Sequence, residues 1–216
     1  MKYLFILGRN VDLSVAELKS FFEKEKINYK IISIVSNGVL LETAKNIDSG
    51  IIEKLGGTIS IGEVIAEGNS EQIFKELDKQ NLYSGTSNKL NYVIYDFNSK
   101  IFDDVHLYLK HRFKEEKMKA TEKKLTGNIK LQSGEFVPNI ASNLIQEQFF
   151  IFENNFGRII GSCNYEKIEK RDMGKPVRRE SLSISPRLAK ILINLSQAKE
   201  DETLLDPFCG IVTILQ

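Results

Sequence analysis

This 216-residue chain has little of what metal, disulfide or membrane chemistry requires. Its two cysteines, Cys163 and Cys209, form no CxxC pair, which leaves no disulfide framework and no zinc site. Its two histidines, His106 and His111, are too few to build a metal site alone. No apolar run approaches the roughly 20 residues that span a bilayer. The opening stretch, MKYLFILGRN, has one lysine and about five apolar residues, fewer than the roughly 7–15 of a signal-peptide core. Glycine, arginine and asparagine then break it, so it reads as a first strand. Four prolines and fourteen glycines, with 42% hydrophobic and 27% charged residues, exclude collagen-like, low-complexity and disordered classes. The length suits one large domain or two small ones. The expectation is a soluble, cytoplasmic protein with no metal and no membrane partner.

The net charge of +1 hides an uneven distribution. Residues 100–130 carry nine Lys/Arg against five Asp/Glu, and residues 167–190 carry eight against three. The remainder of the chain is therefore acidic by eight charges. Basic segments set apart in a near-neutral protein point to a localised anionic partner; solvated, lysine-rich surface is the competing reading.

Hydrophobic periodicity gives the organisation. Residues 2–8 read as a strand closed by Gly8. A helix follows, capped by Asp12 or Ser14, with Val15, Leu18, Phe21 and Phe22 at helical spacing. Residues 29–35 and 39–42 read as a hairpin turning at Asn37-Gly38. Residues 48–55 read as a short helix with Gly56-Gly57 as its C-cap, and residues 59–66 as the last strand. The order βαββαβ is the split βαβ of a ferredoxin-like unit.

A second α/β unit begins with a short helix at 72–77, a polar loop at 81–89 and a strand at 90–97. Residues 101–117 form an amphipathic helix with Phe102, Val105, Leu109 and Phe113 on one face. His106, Lys110, His111, Lys114 and Lys117 occupy the other. A further helix is predicted from Pro138 through Ile140, Leu144 and Ile145. Residues 149–153 and 157–163 read as paired strands turning at Asn154-Asn155. Phe149, Phe150, Phe152 and Phe156 invite a base-stacking role, but strand alternation favours core for all four.

Residues 167–184 are polar, basic and interrupted by Gly174 and Pro176, so they read as a linker. Ser185-Pro186 resembles a cap with proline at the first helical position, opening a helix through Leu188, Ile191, Leu192 and Leu195. Residues 203–208 read as a strand running into Cys209-Gly210, with another helix opening at Thr213. A lone strand with half a helix makes no sheet, so the chain is expected to be truncated there.

Strand, Asp206-Pro207-Phe208-Cys209-Gly210 loop, then helix with Thr213 follows the logic of a nucleotide-binding βα turn. Glycine lets backbone approach a ligand whose negative group meets helix-start amides. This string resembles the first S-adenosylmethionine motif of a Rossmann-like methyltransferase family that modifies guanine N2. The resemblance extends through Arg171-Asp172, Lys175-Pro176, Arg178-Arg179, Ile184-Ser185-Pro186-Arg187-Leu188-Ala189 and Ile193-Asn194-Leu195. That stretch is similar to the connector between the THUMP and catalytic domains in THUMP-containing tRNA guanine-N2 methyltransferases, most closely the archaeal-type guanine-10 group. The resemblance implies a ferredoxin-like domain at 1–66, a THUMP RNA-binding domain at 67–166, a basic linker at 167–184 and the truncated start of a Rossmann-like methyltransferase domain at 185–216. It further implies S-adenosylmethionine held by Asp206, Pro207, Phe208, Cys209, Gly210 and Thr213, with direct displacement at the sulfonium methyl by guanine N2.

Two departures shape the expectation. Val212 stands where the family has glycine, and a β-branched side chain there should clash with a bound cofactor. The family's catalytic Asp/Asn-Pro-Pro-aromatic loop is absent from these residues, so no catalytic residue is assigned and the fragment alone should be inactive. What the resemblance leaves is recognition of the tRNA acceptor 3′ end, with affinity from phosphate contacts. The candidates are Lys110, Arg112, Lys114, Lys117, Lys119, Lys123 and Lys124 on and after the basic helix, and Lys175, Arg178 and Arg179 in the linker. Cys209 and Cys163 read as small apolar fillers. Alternatives are a non-catalytic THUMP tRNA-binding adaptor, a related rRNA guanine-N2 methyltransferase, and a small-molecule-sensing ferredoxin-like protein.

Overall fold

The computed structural model describes residues 1–124, 128–130, 136–138, 144–174, 184–199 and 201–206, with backbone alone at 128–130, 136–138, 169, 171 and 173. The chain is mixed α/β. It opens with β1 (Lys2–Leu7), α1 (Val11–Lys24), β2 (Tyr29–Val35), β3 (Gly38–Thr43), a 3-10 helix (Ser49–Lys54) and β4 (Thr58–Glu67). Then come α2 (Ser70–Leu77), β5 (Lys89–Phe97), α3 (Phe102–Glu115), β6 (Lys119–Glu122), β7 (Asn128–Lys130) and β8 (Phe136–Pro138). β9 (Glu147–Phe152), β10 (Asn155–Ser162), α4 (Tyr165–Met173) and α5 (Pro186–Ser196) complete it.

Eight strands form one sheet in the order β2-β3-β1-β4-β10-β9-β5-β6, while β7 and β8 pair with each other. β1 lies antiparallel between β3 and β4, and β2 closes on β3. The two expected α/β units are not separate sheets. β4 takes β10 antiparallel on its other edge, and β10 continues into β9, β5 and β6.

Both faces of this sheet are buried, which is why β1 and β9 read as unbroken apolar runs. On the outer face, α1, the 3-10 helix and α4 cover Tyr3, Phe5, Leu7 and Ile61. On the same side α2 and α3 cover Leu90, Tyr92, Phe149, Ile151 and Phe156. The inner face packs on itself: Leu4, Ile6 and Leu40 meet Phe97, Phe150 and Phe152. β3 and β5 stand five places apart in the sheet order, yet a Cβ on Gly38 would lie 2.6 Å from the Phe97 ring. The sheet is therefore strongly curled. Register shifts in the β4–β10 pairing, at Phe156/Gly157 and Ile159/Gly161, supply the bend. The Phe150 ring fills the bend, lying over Gly157, where a Cβ would overlap both that ring and the Glu63 carbonyl oxygen. All four phenylalanines expected in the core are fully buried. Cys163 is buried among the residues under α1.

Several local expectations change. The α1 cap is Asn10, whose side chain accepts from the Leu13 amide; the Ser14 hydroxyl instead donates to the Asn10 carbonyl at 2.7 Å. Both hairpins turn one residue earlier than read, with Ser36 and Glu153 taking positive φ at 53° and 52°. Gly38 is held in β3 by the Phe97 ring, and Asn155 in β10 by its bond to the Phe152 carbonyl. The segment after Asp48 is a 3-10 helix, and Leu55 leaves it in extended conformation, so Gly56-Gly57 is not a helix cap. Pro138 lies in β8 rather than starting a helix, Leu144 is in a turn, and 139–143 fall outside the described residues. Residues 167–173, expected as linker, are helical within α4, because Tyr165, Ile168 and Asp172 share a face turned inward. Residues 203–206 pair with no strand among the described residues, and 207–216 lie outside them.

Overpacking the bend tests the curl. Gly157→Ala should lower unfolding stability by about 2–3 kcal/mol, read as a lower urea midpoint at unchanged slope. A change below about 0.5 kcal/mol would show that Phe150 does not occupy this position.

Candidate nucleic-acid interface

α3 carries the densest set of candidate residues. Its apolar stripe of Val105, Leu109 and Phe113 is fully buried against the sheet, which turns the opposite stripe to solvent. Lys110, Lys114 and Lys117 are exposed there at spacings of four and three, together with His111 and Leu107. The helix ends at Glu115, two residues short of the expected end. Lys117 takes φ 57°, its amide donating to the Lys114 carbonyl at 3.0 Å while the Met118 amide donates to Phe113 at 2.9 Å. That is a Schellman closure with lysine in the position that usually holds glycine. It throws the chain directly into β6.

β6 is the last strand of the sheet and lies parallel to β5, with Lys119 beside Lys89 and Thr121 beside Asn91. Ala120 packs toward α3, and Glu122 Oε2 lies 2.6 Å from Nε2 of His106 on that helix. Alternation then sends Lys119 and Thr121 to the other side of the strand. Lys119, Lys123 and Lys124 are exposed, as is Lys89. The lysines therefore wrap around one sheet edge, three on the helix side and the rest along and beyond β6. They also protect that edge from pairing with another chain. His106, expected on the open face, is instead half-buried and fastens β6 to α3. Beneath this edge the Tyr92 hydroxyl is pushed up to about 12 by burial, with the Glu122 carboxylate adding to the effect. It remains a neutral group at physiological pH.

Arg112 is placed differently from its neighbours. Its guanidinium donates to the Leu77 carbonyl, to the Gln80 carbonyl at 2.5 Å and to Glu116 at 3.0 Å. Tyr108, stacked on Phe74 at 4.4 Å, donates to Asp78 at 2.5 Å beside it. Arg112 thus ties the end of α2 to α3 and has few donors left for a phosphate. Lys89, by contrast, escaped the sequence reading: only its pairing beside Lys119 reveals it as part of the basic edge.

The remaining candidates divide between described and undescribed positions. Lys175, Arg178 and Arg179 lie outside the described residues, as do Pro207, Phe208, Cys209, Gly210 and Thr213. Asp206 is half-buried at the end of the extended stretch 203–206. α5, ten residues before it, packs on α1 in the first half of the sheet. α5 and the lysine edge therefore belong to opposite halves of the sheet. Among the described residues, no three His, Cys, Asp or Glu side chains cluster as metal ligands. No described helix is long and apolar enough to cross a membrane.

Comparison with known proteins bears on the last part of the chain. Residues 176–215 match the family model described as RMKL-like, methyltransferase domain. This segment is methyltransferase-like. No curated protein matches the chain. Among solved structures, a possible methylase from Clostridium difficile 630 is similar at 14% identity and TM-score 0.43, over 99% of this chain and 53% of that one. PH1313 from Pyrococcus horikoshii Ot3 is similar at 12% identity and TM-score 0.43, over 74% and 56%. A 4-thiouridine synthetase in an RNA complex with bound ATP is similar at 10% identity and TM-score 0.38, over 73% and 40%. The chain spans about half the length of the first two solved structures it matches. The methyltransferase-like segment includes α5 and Asp206.

Two substitutions separate structural from exposed basic residues. Arg112→Ala should lower stability by about 2 kcal/mol, through lost charge-assisted bonds to the end of α2. Lys110→Ala should change it by less than about 0.5 kcal/mol. Urea denaturation checks both, and equal effects would contradict the assignment.

Proposed function

We propose that this chain is the RNA-binding front part of an S-adenosylmethionine-dependent tRNA guanine-N2 methyltransferase, with guanine-10 as the target and the cytoplasm as its compartment. In this reading residues 1–66 are a ferredoxin-like domain, 67–166 a THUMP domain, 167–184 the connector and 185–216 the opening of the catalytic domain. The observation that carries it is the methyltransferase match at 176–215, on a chain whose β6 edge is lined with exposed lysines. S-adenosylmethionine, when bound, supplies an electrophilic methyl group. Asp206 and the Pro-Phe-Cys-Gly string after it are the residues assigned to hold it. Catalysis is assigned to an Asp/Asn-Pro-Pro-aromatic loop, a string that does not occur in these 216 residues, and RNA binding to the residues described above.

The chain's own contribution is the grip. Lys110, Lys114, Lys117, Lys119, Lys123 and Lys124 face solvent around one edge, where they can follow a phosphate backbone and release its counterions. Such contacts position an RNA without reading its bases. Recognition of the acceptor end then depends on the unpaired 3′ nucleotides.

Fluorescence anisotropy with tRNA at 50–200 mM salt tests this reading. The triple variant Lys110→Ala, Lys114→Ala, Lys123→Ala should lose about tenfold or more in affinity and reduce the salt slope by about 2. Removing the tRNA's unpaired 3′ end should weaken binding to the parent chain. Salt-insensitive binding, or affinity unchanged by either alteration, would contradict it. A non-catalytic adaptor would bind in the same way, and only the longer protein's methyl transfer to tRNA separates the two.

A further inference from the structure

α5 belongs by sequence to the methyltransferase-like segment, yet its buried face is built into the other end of the chain. The joint centres on Glu17 of α1, which is fully buried. Its Oε1 accepts from the Gly56 amide and from Asn194 Nδ2, both at 2.7 Å, and its Oε2 accepts from the Gly57 amide at 2.7 Å. Asn194 is itself 5% exposed. Its Nδ2 also donates to the Lys54 carbonyl at 2.8 Å, and its own carbonyl accepts from Ser20 Oγ at 2.7 Å. Arg187 donates from Nε to the Gly56 carbonyl at 2.8 Å, and its guanidinium lies 5.3 Å from the centre of the Tyr165 ring. Lys190 donates to the Glu53 carbonyl at 2.6 Å. A Cβ on Gly56 would overlap the Arg187 carbonyl oxygen, so the α5 backbone rests directly on that glycine.

Burying a carboxylate is unfavourable unless its lone pairs are used. Here the two glycine amides and Asn194 use them, and Asn194 comes from a position 177 residues along the chain from Glu17. If α5 departs, Glu17 loses a donor, and the Ser20 hydroxyl and Lys54 carbonyl lose their partners. An undocked helix of eleven residues is marginal in water. The docked arrangement is therefore strongly favoured over any in which α5 has left Glu17.

We infer that Glu17 and Asn194 form a latch that makes α5 a fixed part of the front half and sets the point from which the methyltransferase domain departs. The role as a positioning device rests on the reading of 176–215 as the start of that domain. With α5 fixed, Asp206 lies ten residue steps from Ser196, no more than about 35 Å away at ~3.5 Å per step. The latch thereby limits the separation between the cofactor stretch and the α1 side of the sheet. Glu17 and Asn194 are positioning residues that touch neither RNA nor cofactor.

Hydrogen exchange of the full chain tests the latch, with Glu17→Gln and Asn194→Ala. Glutamine turns its carboxamide NH2, a donor, toward a group that also donates, whereas alanine at 194 leaves both glycine bonds of Glu17 in place, so the second variant serves if the first unfolds. In Asn194→Ala, amides of residues 189–196 should exchange at least tenfold faster, with protection in β1, β4 and β9 unchanged. Spin labels at Leu107→Cys and Leu192→Cys, with Cys163→Ser and Cys209→Ser, should give one narrow distance distribution. Asn194→Ala should broaden it. Unchanged α5 exchange, an unbroadened distribution, or loss of protection through β1 and β4 together would overturn the latch. tRNA affinity of the parent chain is read separately, so a failure of RNA binding counts against the proposed function and leaves the latch result standing.

Discussion

β4 is paired on both edges over residues 60–63, with β1 on one side and β10 on the other, and its two ends each continue along one of these strands. That double pairing is the constraint on which the architecture depends. It joins strands from the first 70 residues to strands beyond 145 in one sheet. Its two register shifts bend the sheet until β3 faces β5 and β9. The curl buries Phe97, Phe150 and Phe152 on one face, and helices cover much of the other. Among the described residues, the outsides of the helices and the two edge strands, β2 and β6, remain open to a partner.

The two edges differ in chemistry. β2 carries exposed Ile32 and Ile34, whereas β6 and the helix beside it carry lysines. Among the described residues, the lysine-lined edge lies at the opposite end of the sheet order from β2. The methyltransferase-like segment leaves from the other half, over α1. The lysine-lined edge and the helix that opens the methyltransferase-like segment thus belong to opposite halves of one sheet.

Most of the local structure was legible in the sequence, because apolar periodicity marks elements whose buried faces are continuous. The residues of β1, α1, β2, β5 and α3 were found within a few positions. The turns shifted because Gly38 and Asn155 are fixed by contacts in the strands that follow them, which no dipeptide signal reports. The joining of two expected units into one sheet was not legible, since β4 and β10 lie nearly 90 residues apart. α5 is a helix capped by Ser185 with Pro186 in its first turn, as its sequence reads. Which of its faces is buried is less legible, since Leu192 is 43% exposed while Ile191 and Asn194 are buried. Glu17 gave a sign that went unread: it sits on the apolar side of α1, between Ser14 and Phe21, where a carboxylate requires partners. At the candidate interface, exposure of the lysines followed from amphipathicity. The internal role of Arg112 did not, because its acceptors are backbone carbonyls at the end of α2 and just beyond it.

Ultraviolet cross-linking of the intact chain to tRNA, with the linked peptides identified by mass spectrometry, tests the central claim most directly. The account predicts adducts on α3 and on β6 with the residues after it, between Leu107 and Lys124, and none on β2. Adducts on β2 or over α1, with α3 and β6 unlabelled, would contradict it.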